Sequence, residues 1–245
     1  MLSVVMPAHN EAGYLRAAVE DVVGNLQARN LDFEVVVVEN GSTDDSAAIA
    51  KGLDAEMPQV RAISLTAPDY GGALRTGFLE ARGDLVAIFD VDYYDFQFLD
   101  DALVLAGQPG GPDVVVGSKR GAGAVDTRAW KRRLVTATFS LILRGGFGLK
   151  VADTHGIKVV RRAPLAELAA SSRTGTDIYD TELILRAERA GLKVVAIPVT
   201  VEERRPSRSS IIKRIPRTVL ALGRLRVALW REGKPASGGR PAASP

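Results

Sequence analysis

Two aspartates one residue apart, Asp90 and Asp92, follow directly on the apolar run Val86-Ala87-Ile88-Phe89. Such a run reads as a buried strand, so its end carries two like charges out of the core at nearly the same place. Adjacent carboxylates repel and lose hydration, so the arrangement calls for a compensating cation. Mg²⁺ and Mn²⁺ suit it, because they take one or two carboxylates and fill their other positions with water and phosphate oxygens. A metal held there neutralises charge building on a departing diphosphate. The plainer reading is a solvated acidic turn continued by Asp95, Asp100 and Asp101. Placement at the end of a core strand favours the chemical one.

Two further polar clusters end apolar runs: Pro7-Ala8-His9-Asn10-Glu11 and Glu39-Asn40-Gly41-Ser42. Open α/β sheets bind ligands at the carboxyl ends of their strands, so these three clusters predict a common site. Periodicity supplies the elements that position it. Residues 2–6, 33–38, 60–65, 85–89 and 114–116 read as buried strands, and 11–28, 44–51, 72–81 and 96–106 as helices. Ser42-Thr43-Asp44-Asp45 is a capping stretch for the second helix. Strand–helix–strand alternation predicts an α/β fold with a mostly parallel sheet and helices on both faces. Further along, a basic Gly-rich stretch (117–133) leads into a helix ending near Arg144-Gly145-Gly146. Residues 156–160 and 194–197 read as strands and 181–190 as a helix.

The 245 residues contain no cysteine, which excludes disulfides, thiolate metal sites and cysteine nucleophiles. Residues 202–245 hold 11 Lys/Arg against three glutamates, a net of +8. The rest holds 21 bases against 26 acids, a net of −5. An acidic body with a basic end predicts an anionic partner for that end rather than nucleic acid bound across the fold. Met1 runs straight into a strand, so no secretory leader is expected. The longest apolar segment, 211–230, is interrupted by Lys213, Arg214, Arg217, Arg224 and Arg226, so it does not read as a membrane span. Ile212, Ile215, Val219, Leu222, Leu225 and Leu229 recur at helical spacing, with Lys213, Arg217, Arg224 and Arg231 largely on another face. A basic amphipathic helix lying on a membrane surface is expected, with a helix start or break near Pro216; the alternative is that its apolar stripe packs on the catalytic domain and leaves the charges in water. The Gly/Pro/Ser-rich tail from 233 reads as disordered.

Taken in order, Pro7-Ala8-His9-Asn10-Glu11, Glu39-Asn40-Gly41-Ser42-Thr43-Asp44, Gly72-Ala73-Leu74-Arg75-Thr76-Gly77, Arg82-Gly83-Asp84 and Asp90-Val91-Asp92 resemble the motifs of family 2 of the glycosyltransferases. The resemblance runs from about residue 2 to 205. It implies the GT-A fold, a nucleotide-diphospho-sugar donor of the GDP-mannose or UDP-glucose type, a Mg²⁺ or Mn²⁺ ion, and transfer with inversion. It places Pro7, Ala8, Asn10, Glu11, Glu39, Gly41, Arg75, Asp90, Val91 and Asp92 against the donor, with Asp90 and Asp92 on the metal. Glu39-Asn40 stands where the family more often has Asp-Asp.

The second half most resembles dolichyl-phosphate mannose synthase and related polyprenyl-phosphate glycosyltransferases. The resemblance rests on Val116-Gly117-Ser118-Lys119-Arg120, Trp130-Lys131-Arg132-Arg133, Asp153-Thr154-His155-Gly156-Ile157-Lys158, Tyr179-Asp180-Thr181-Glu182, and Arg204 with Ser209. It implies that Ser118, Lys119, Arg120, Arg132, Arg133, Arg204 and Ser209 hold a lipid-phosphate acceptor, in an enzyme peripheral to the cytoplasmic face of a membrane. A phosphate nucleophile is already anionic, so positioning outweighs a general base. A hydroxyl acceptor, soluble or on a polysaccharide, requires a base, and Asp153, Asp180 and Glu182 are the candidates. A non-catalytic sugar-nucleotide-binding protein is the remaining alternative. The expected division is a catalytic domain over 1–205 (donor half 1–117, acceptor half 118–205), a basic helix over 206–232, and the tail. A Rossmann oxidoreductase is excluded, because the first strand turn lacks Gly-Xxx-Gly-Xxx-Xxx-Gly.

Overall fold

Apolar runs too short for helices become strands, and the amphipathic segments between them cover the resulting sheet. A computed structural model describes residues 1–119, 125–126, 130–151, 154, 156–172, 178–201 and 211–232, excepting side chains at 125–126, 130–137, 140, 201 and 211–217. The chain alternates through β1 (Leu2–Ala8), α1 (Leu15–Ala28), β2 (Phe33–Asn40), α2 (Ser46–Glu56), β3 (Val60–Leu65), α3 (Tyr70–Glu80), β4 (Leu85–Ile88), α4 (Phe96–Gly107) and β5 (Val114–Ser118). There follow β6 (Val125–Asp126), α5 (Trp130–Phe147), β7 (Lys158–Arg161), α6 (Arg162–Ser171), α7 (Tyr179–Arg189), β8 (Val194–Pro198), β9 (Thr200–Val201) and α8 (Ile211–Glu232).

Seven strands form one sheet in the order β3-β2-β1-β4-β7-β5-β8, and β6 pairs with β9. Every neighbouring pair in the large sheet is parallel except those made by β7, which runs antiparallel between β4 and β5. The mostly parallel sheet is as expected. Strand polarity depends on where the chain re-enters, which the residues of β7 do not encode.

Strand alternation divides the core in two. Val4, Met6, Val35, Val37 and Ala87 face α1, α2 and α4 on one side. Val5, Val36, Val38, Val86 and Ile88 face α3, α6, α7 and α8 on the other. Burial on both faces explains why β1 and β2 read as unbroken apolar runs. Gly77 lets α3 lie directly on the sheet, since a Cβ there would meet Val5 Cγ1 at 2.3 Å. At the amino ends, Ser3 Oγ donates to Glu34 Oε1 (2.6 Å), which also accepts from the Arg82 backbone amide (2.7 Å). That network closes the amino-terminal edge of the sheet.

Several expectations shift. The first two helices begin later than read, at Leu15 and Ser46, because 11–14 and 42–45 build the site loops instead. α6 was not foreseen. The most consequential change concerns α8, whose helix starts at Ile211, before Pro216. Leu222, Leu225 and Leu229 do not face outward: they are buried in the second core cluster, while Val219, read as part of the same stripe, is exposed. Tertiary packing on α5 and α7 claims one side of the helix. Among the described residues no helix is long and apolar enough to cross a membrane. The boundary expected at 205 and the tail from 233 lie outside the described residues.

Candidate active site

Strand order reverses between β1 and β4, so the loops leaving their carboxyl ends diverge and open a crevice. On its β1 side, two loops are laced together by side chains reaching backbone amides. Asn10 adopts a left-handed φ of 55° and its amide donates to Ser42 Oγ (3.0 Å). Its Oδ1 accepts from the Thr43 amide (2.8 Å). The Glu11 amide donates to Ser46 Oγ (2.8 Å), and the Ala12 amide to Asp44 Oδ2 (3.1 Å). Ser46 Oγ donates to Asp44 Oδ1 (2.6 Å), and these bonds hold the Asp44 carboxyl below its ordinary pKa. His9 Nδ1 lies 2.8 Å from the Asn40 carbonyl.

The β2 side is equally constrained. Glu39 is 3% exposed, and its Oε1 accepts from the Ser42 amide at 2.5 Å, closing the turn. Gly41 has φ +59°, and a Cβ there would come within 2.7 Å of the Ala67 carbonyl carbon. Only glycine suits that position. Asn40 Oδ1 accepts from the Asp69 amide (2.7 Å), fixing the start of α3.

α3 then delivers Tyr70, whose hydroxyl donates to Asp90 Oδ1 at 3.2 Å. A tight turn with reciprocal backbone bonds between Asp90 and Tyr93, both 3.1 Å, follows β4. It leaves Val91 buried and turns Asp92 toward solvent. Burial, then Asp92, then Asp180 push the Asp90 carboxyl up to about 6, against the opposing pull of Lys158 and Lys119. The Tyr70 hydroxyl is raised well above its ordinary value, first by burial and then by Asp90, so it stays a donor. These couplings place three carboxylates and two lysines in one neighbourhood.

Lys158 enters from β7 with no exposed surface. Its Nζ donates to Asp180 Oδ1 (2.8 Å) and to the Gly156 carbonyl (2.7 Å). Asp180 Oδ2 is buried with no hydrogen-bond partner among the described residues. Ser118 is buried at the end of β5, and Lys119 Nζ lies 5.6 Å from the centre of the Tyr93 ring. The arrangement suits a hard divalent cation: two carboxylates converge where like-charge repulsion is under-compensated. No group of three or more acidic, histidine or cysteine side chains able to hold a metal occurs among the described residues, so ligand phosphate oxygens would complete the shell.

The structure therefore brings Pro7, Ala8, Asn10, Glu11, Glu39, Gly41, Asp90, Val91, Asp92, Ser118, Lys119 and Asp180 to the carboxyl edge of the sheet or the loops beyond it. Two expected residues point elsewhere. Arg75 donates to the carbonyls of Ala169 (3.3 Å) and Ala170 (2.7 Å), where the end of α6 attracts a guanidinium. Glu182 is 1% exposed and accepts from Arg186 at 2.7 Å, one turn along α7. Asp153, Arg120, Arg204 and Ser209, with the side chains of Arg132 and Arg133, lie outside the described residues. Sequence reading missed Tyr70 and Lys158. A charged residue inside the apolar strand Lys158-Val159-Val160 was the available signal for the second.

Residues 3–169 match the family described as Glycosyl transferase family 2. The glycosyltransferase AglD of Haloferax volcanii is 31% identical over 236 residues, covering 94% of this chain, which spans only 37% of AglD. The dolichyl-phosphate beta-glucosyltransferase of Saccharomyces cerevisiae is 28% identical, over 82% of this chain and 67% of its own. Among solved structures, glucosyl-3-phosphoglycerate synthase from Mycobacterium tuberculosis with Mn²⁺, UDP and phosphoglyceric acid superposes with a TM-score of 0.63. It is 23% identical and covers 97% of this chain and 80% of its own, which establishes the shared GT-A architecture. A crevice at the reversal of a mostly parallel sheet, an Asp-Val-Asp turn at its edge and a family match over more than half the residues converge: the chain is a member of glycosyl transferase family 2.

Proposed function

We propose that this enzyme transfers a hexose, with inversion, from a nucleoside-diphospho-sugar of the UDP-glucose or GDP-mannose type to the phosphate of a polyprenyl lipid. The observation that carries the donor half is the pairing of Asp90 and Asp92 at the end of β4, beside the laced loops that follow β1 and β2. Those internally bonded loops would form a fixed wall for the nucleoside, with the Glu39 carboxylate held within it. Asp90 and Asp92 would hold Mg²⁺ or Mn²⁺, which supplies charge neutralisation at the leaving diphosphate. Tyr70 keeps Asp90 oriented by donating to one oxygen, and Lys158 restrains Asp180. The Mn²⁺ and UDP bound to the structurally similar synthase support the metal and the donor class.

Similarity to a dolichyl-phosphate glucosyltransferase supports the lipid-phosphate acceptor. Lys119 stands beside Asp90, and Arg120, Arg132, Arg133, Arg204 and Ser209 are the remaining candidates for gripping the phosphate. Such an acceptor remains in the bilayer, so the basic C-terminal helix would bring the enzyme to a membrane surface. A soluble phosphorylated acceptor is the second reading, favoured by the phosphoglyceric acid in the similar synthase. A hydroxyl acceptor is the third, with Asp153 or Asp180 as base, the Oδ2 of the latter having no hydrogen-bond partner among the described residues.

The test is transfer from a panel of radiolabelled nucleotide-sugars to polyprenyl phosphate, phosphoglycerate and free sugars, with Mn²⁺ or EDTA. Activity on polyprenyl phosphate alone is expected, lost in EDTA and in Asp92→Asn, whose fold should persist. Arg132→Ala with Arg133→Ala should raise the KM for acceptor while leaving nucleotide affinity nearly unchanged. Transfer to phosphoglycerate or a sugar hydroxyl but not to the lipid would replace the acceptor assignment. Full activity of Asp92→Asn in EDTA would remove the metal.

A further inference from the structure

We propose that the outward face of α8, with the outer face of the adjoining α5, is the surface that seats this enzyme on an anionic lipid leaflet. Its purpose depends on the lipid acceptor proposed above; its physical basis does not. A helix advances about 100° per residue, which sorts α8 into two apolar faces. One face, Leu222, Leu225 and Leu229, is at most 6% exposed and packs into the core. On the opposite side Val219, Leu220, Val227 and Trp230 fall within roughly 100° of arc. They are 57%, 56%, 47% and 81% exposed. Arg226 borders that stripe on one edge, and Arg224 with Arg231 on the other.

α5 extends the surface. Leu141 and Ile142 are 71% and 44% exposed, and the Arg226 guanidinium lies 5.6 Å from the centre of the Phe147 ring, so the two helices touch. Large exposed hydrophobics scattered singly need no explanation, whereas clusters mark interaction sites. Of the ten that the described residues expose, six stand on these two helices. An amphipathic helix in water keeps a polar outer face. This one is apolar there too, which suits a helix with protein on one side and hydrocarbon on the other.

Charge decides the occupant. α8 carries six Lys/Arg and a single acid, Glu232. That acid is bound to Arg186 at 2.7 Å and does not offset the arginines bordering the stripe. An isologous contact with a second copy would set these arginines against their own kind. Anionic headgroups meet them favourably, and long guanidinium side chains can reach the headgroups while the stripe enters the acyl boundary. Trp230, near the helix end, is the residue type that prefers that depth.

The full chain carrying Trp130→Phe leaves Trp230 as sole tryptophan reporter. Sedimentation and fluorescence are followed with phosphatidylglycerol/phosphatidylcholine vesicles and with phosphatidylcholine alone. Binding to the anionic vesicles should blue-shift Trp230 and weaken with salt. Leu220→Glu with Val227→Glu should weaken binding at least about tenfold by opposing both terms of the interaction. Arg224→Ala with Arg231→Ala should weaken it by about fivefold per arginine and flatten the salt dependence. Both variants alter exposed side chains, so melting temperatures should match the parent. On a short-chain, water-soluble prenyl phosphate their turnover should equal the parent's. Absent vesicle binding in the parent, parental binding in the glutamate variant, or a dimer that this variant dissociates would each overturn the proposal. Vesicle binding without transfer to any prenyl phosphate would instead uphold the surface and defeat the acceptor assignment.

Discussion

Asp90 should make the metal-free enzyme less stable as pH rises, and replacing it by asparagine should remove that penalty. In the unfolded chain its carboxyl ionises near the ordinary value of 3.8, whereas in the fold it holds its proton to about 6. Between those values folding takes up a proton, so the stability governed by this group is greatest below about pH 4. It falls as pH rises toward 6, and the full penalty persists above. A difference of about two units, at 1.36 kcal/mol each, sets that penalty near 3 kcal/mol. Asp90→Asn keeps an oxygen for the Tyr70 hydroxyl and carries no charge. At pH 8 in EDTA it should therefore exceed the parent by up to about 3 kcal/mol, roughly 6–12 °C in melting temperature for a chain of this size. At pH 4 the two should coincide. Mn²⁺ should close the gap at pH 8, since ligand at about 100 times its Kd stabilises the parent by roughly 2.7 kcal/mol and leaves the asparagine variant unmoved. Paired urea unfolding curves from pH 4 to 8, with EDTA and with Mn²⁺, measure all of this. Equal stability of the two proteins at pH 8 in EDTA would refute the account of the half-buried Asp90 carboxylate. An equal Mn²⁺ response would refute the metal's location.

Two further perturbations probe the supporting structure. Gly41→Ala places a Cβ against Ala67 and Pro68 at a left-handed φ, so it should destabilise by more than about 1 kcal/mol and weaken nucleotide binding in calorimetry. Lys158→Met leaves the Asp180 carboxylate buried without its partner and should destabilise by roughly 3–5 kcal/mol. Adding Asp180→Leu should recover most of that stability in denaturant titrations, and no recovery would show that the pair is not the unit of interaction.

Local order along the chain determined a good deal here. Residues 2–6, 33–38 and 85–89 declared themselves as buried strands because their two-sided burial demands unbroken apolar runs, and the polar clusters after them marked the candidate ligand edge. Asp90 and Asp92 were legible because paired acids at a core strand's end have few structural uses. The direction of β7, the delivery of Tyr70 and Lys158 to Asp90 and Asp180, and the diversion of Arg75 and Glu182 were settled only by the tertiary structure. Each depends on a neighbour remote in the chain: Lys158 meets Asp180 22 residues away, and Arg75 meets Ala170 95 residues away. Spacing along one segment is blind to such partners. In α8 the periodicity revealed an amphipathic helix but could not say which apolar face the body would cover, since Val219 and Leu222 share a spacing and part company only against the packed core.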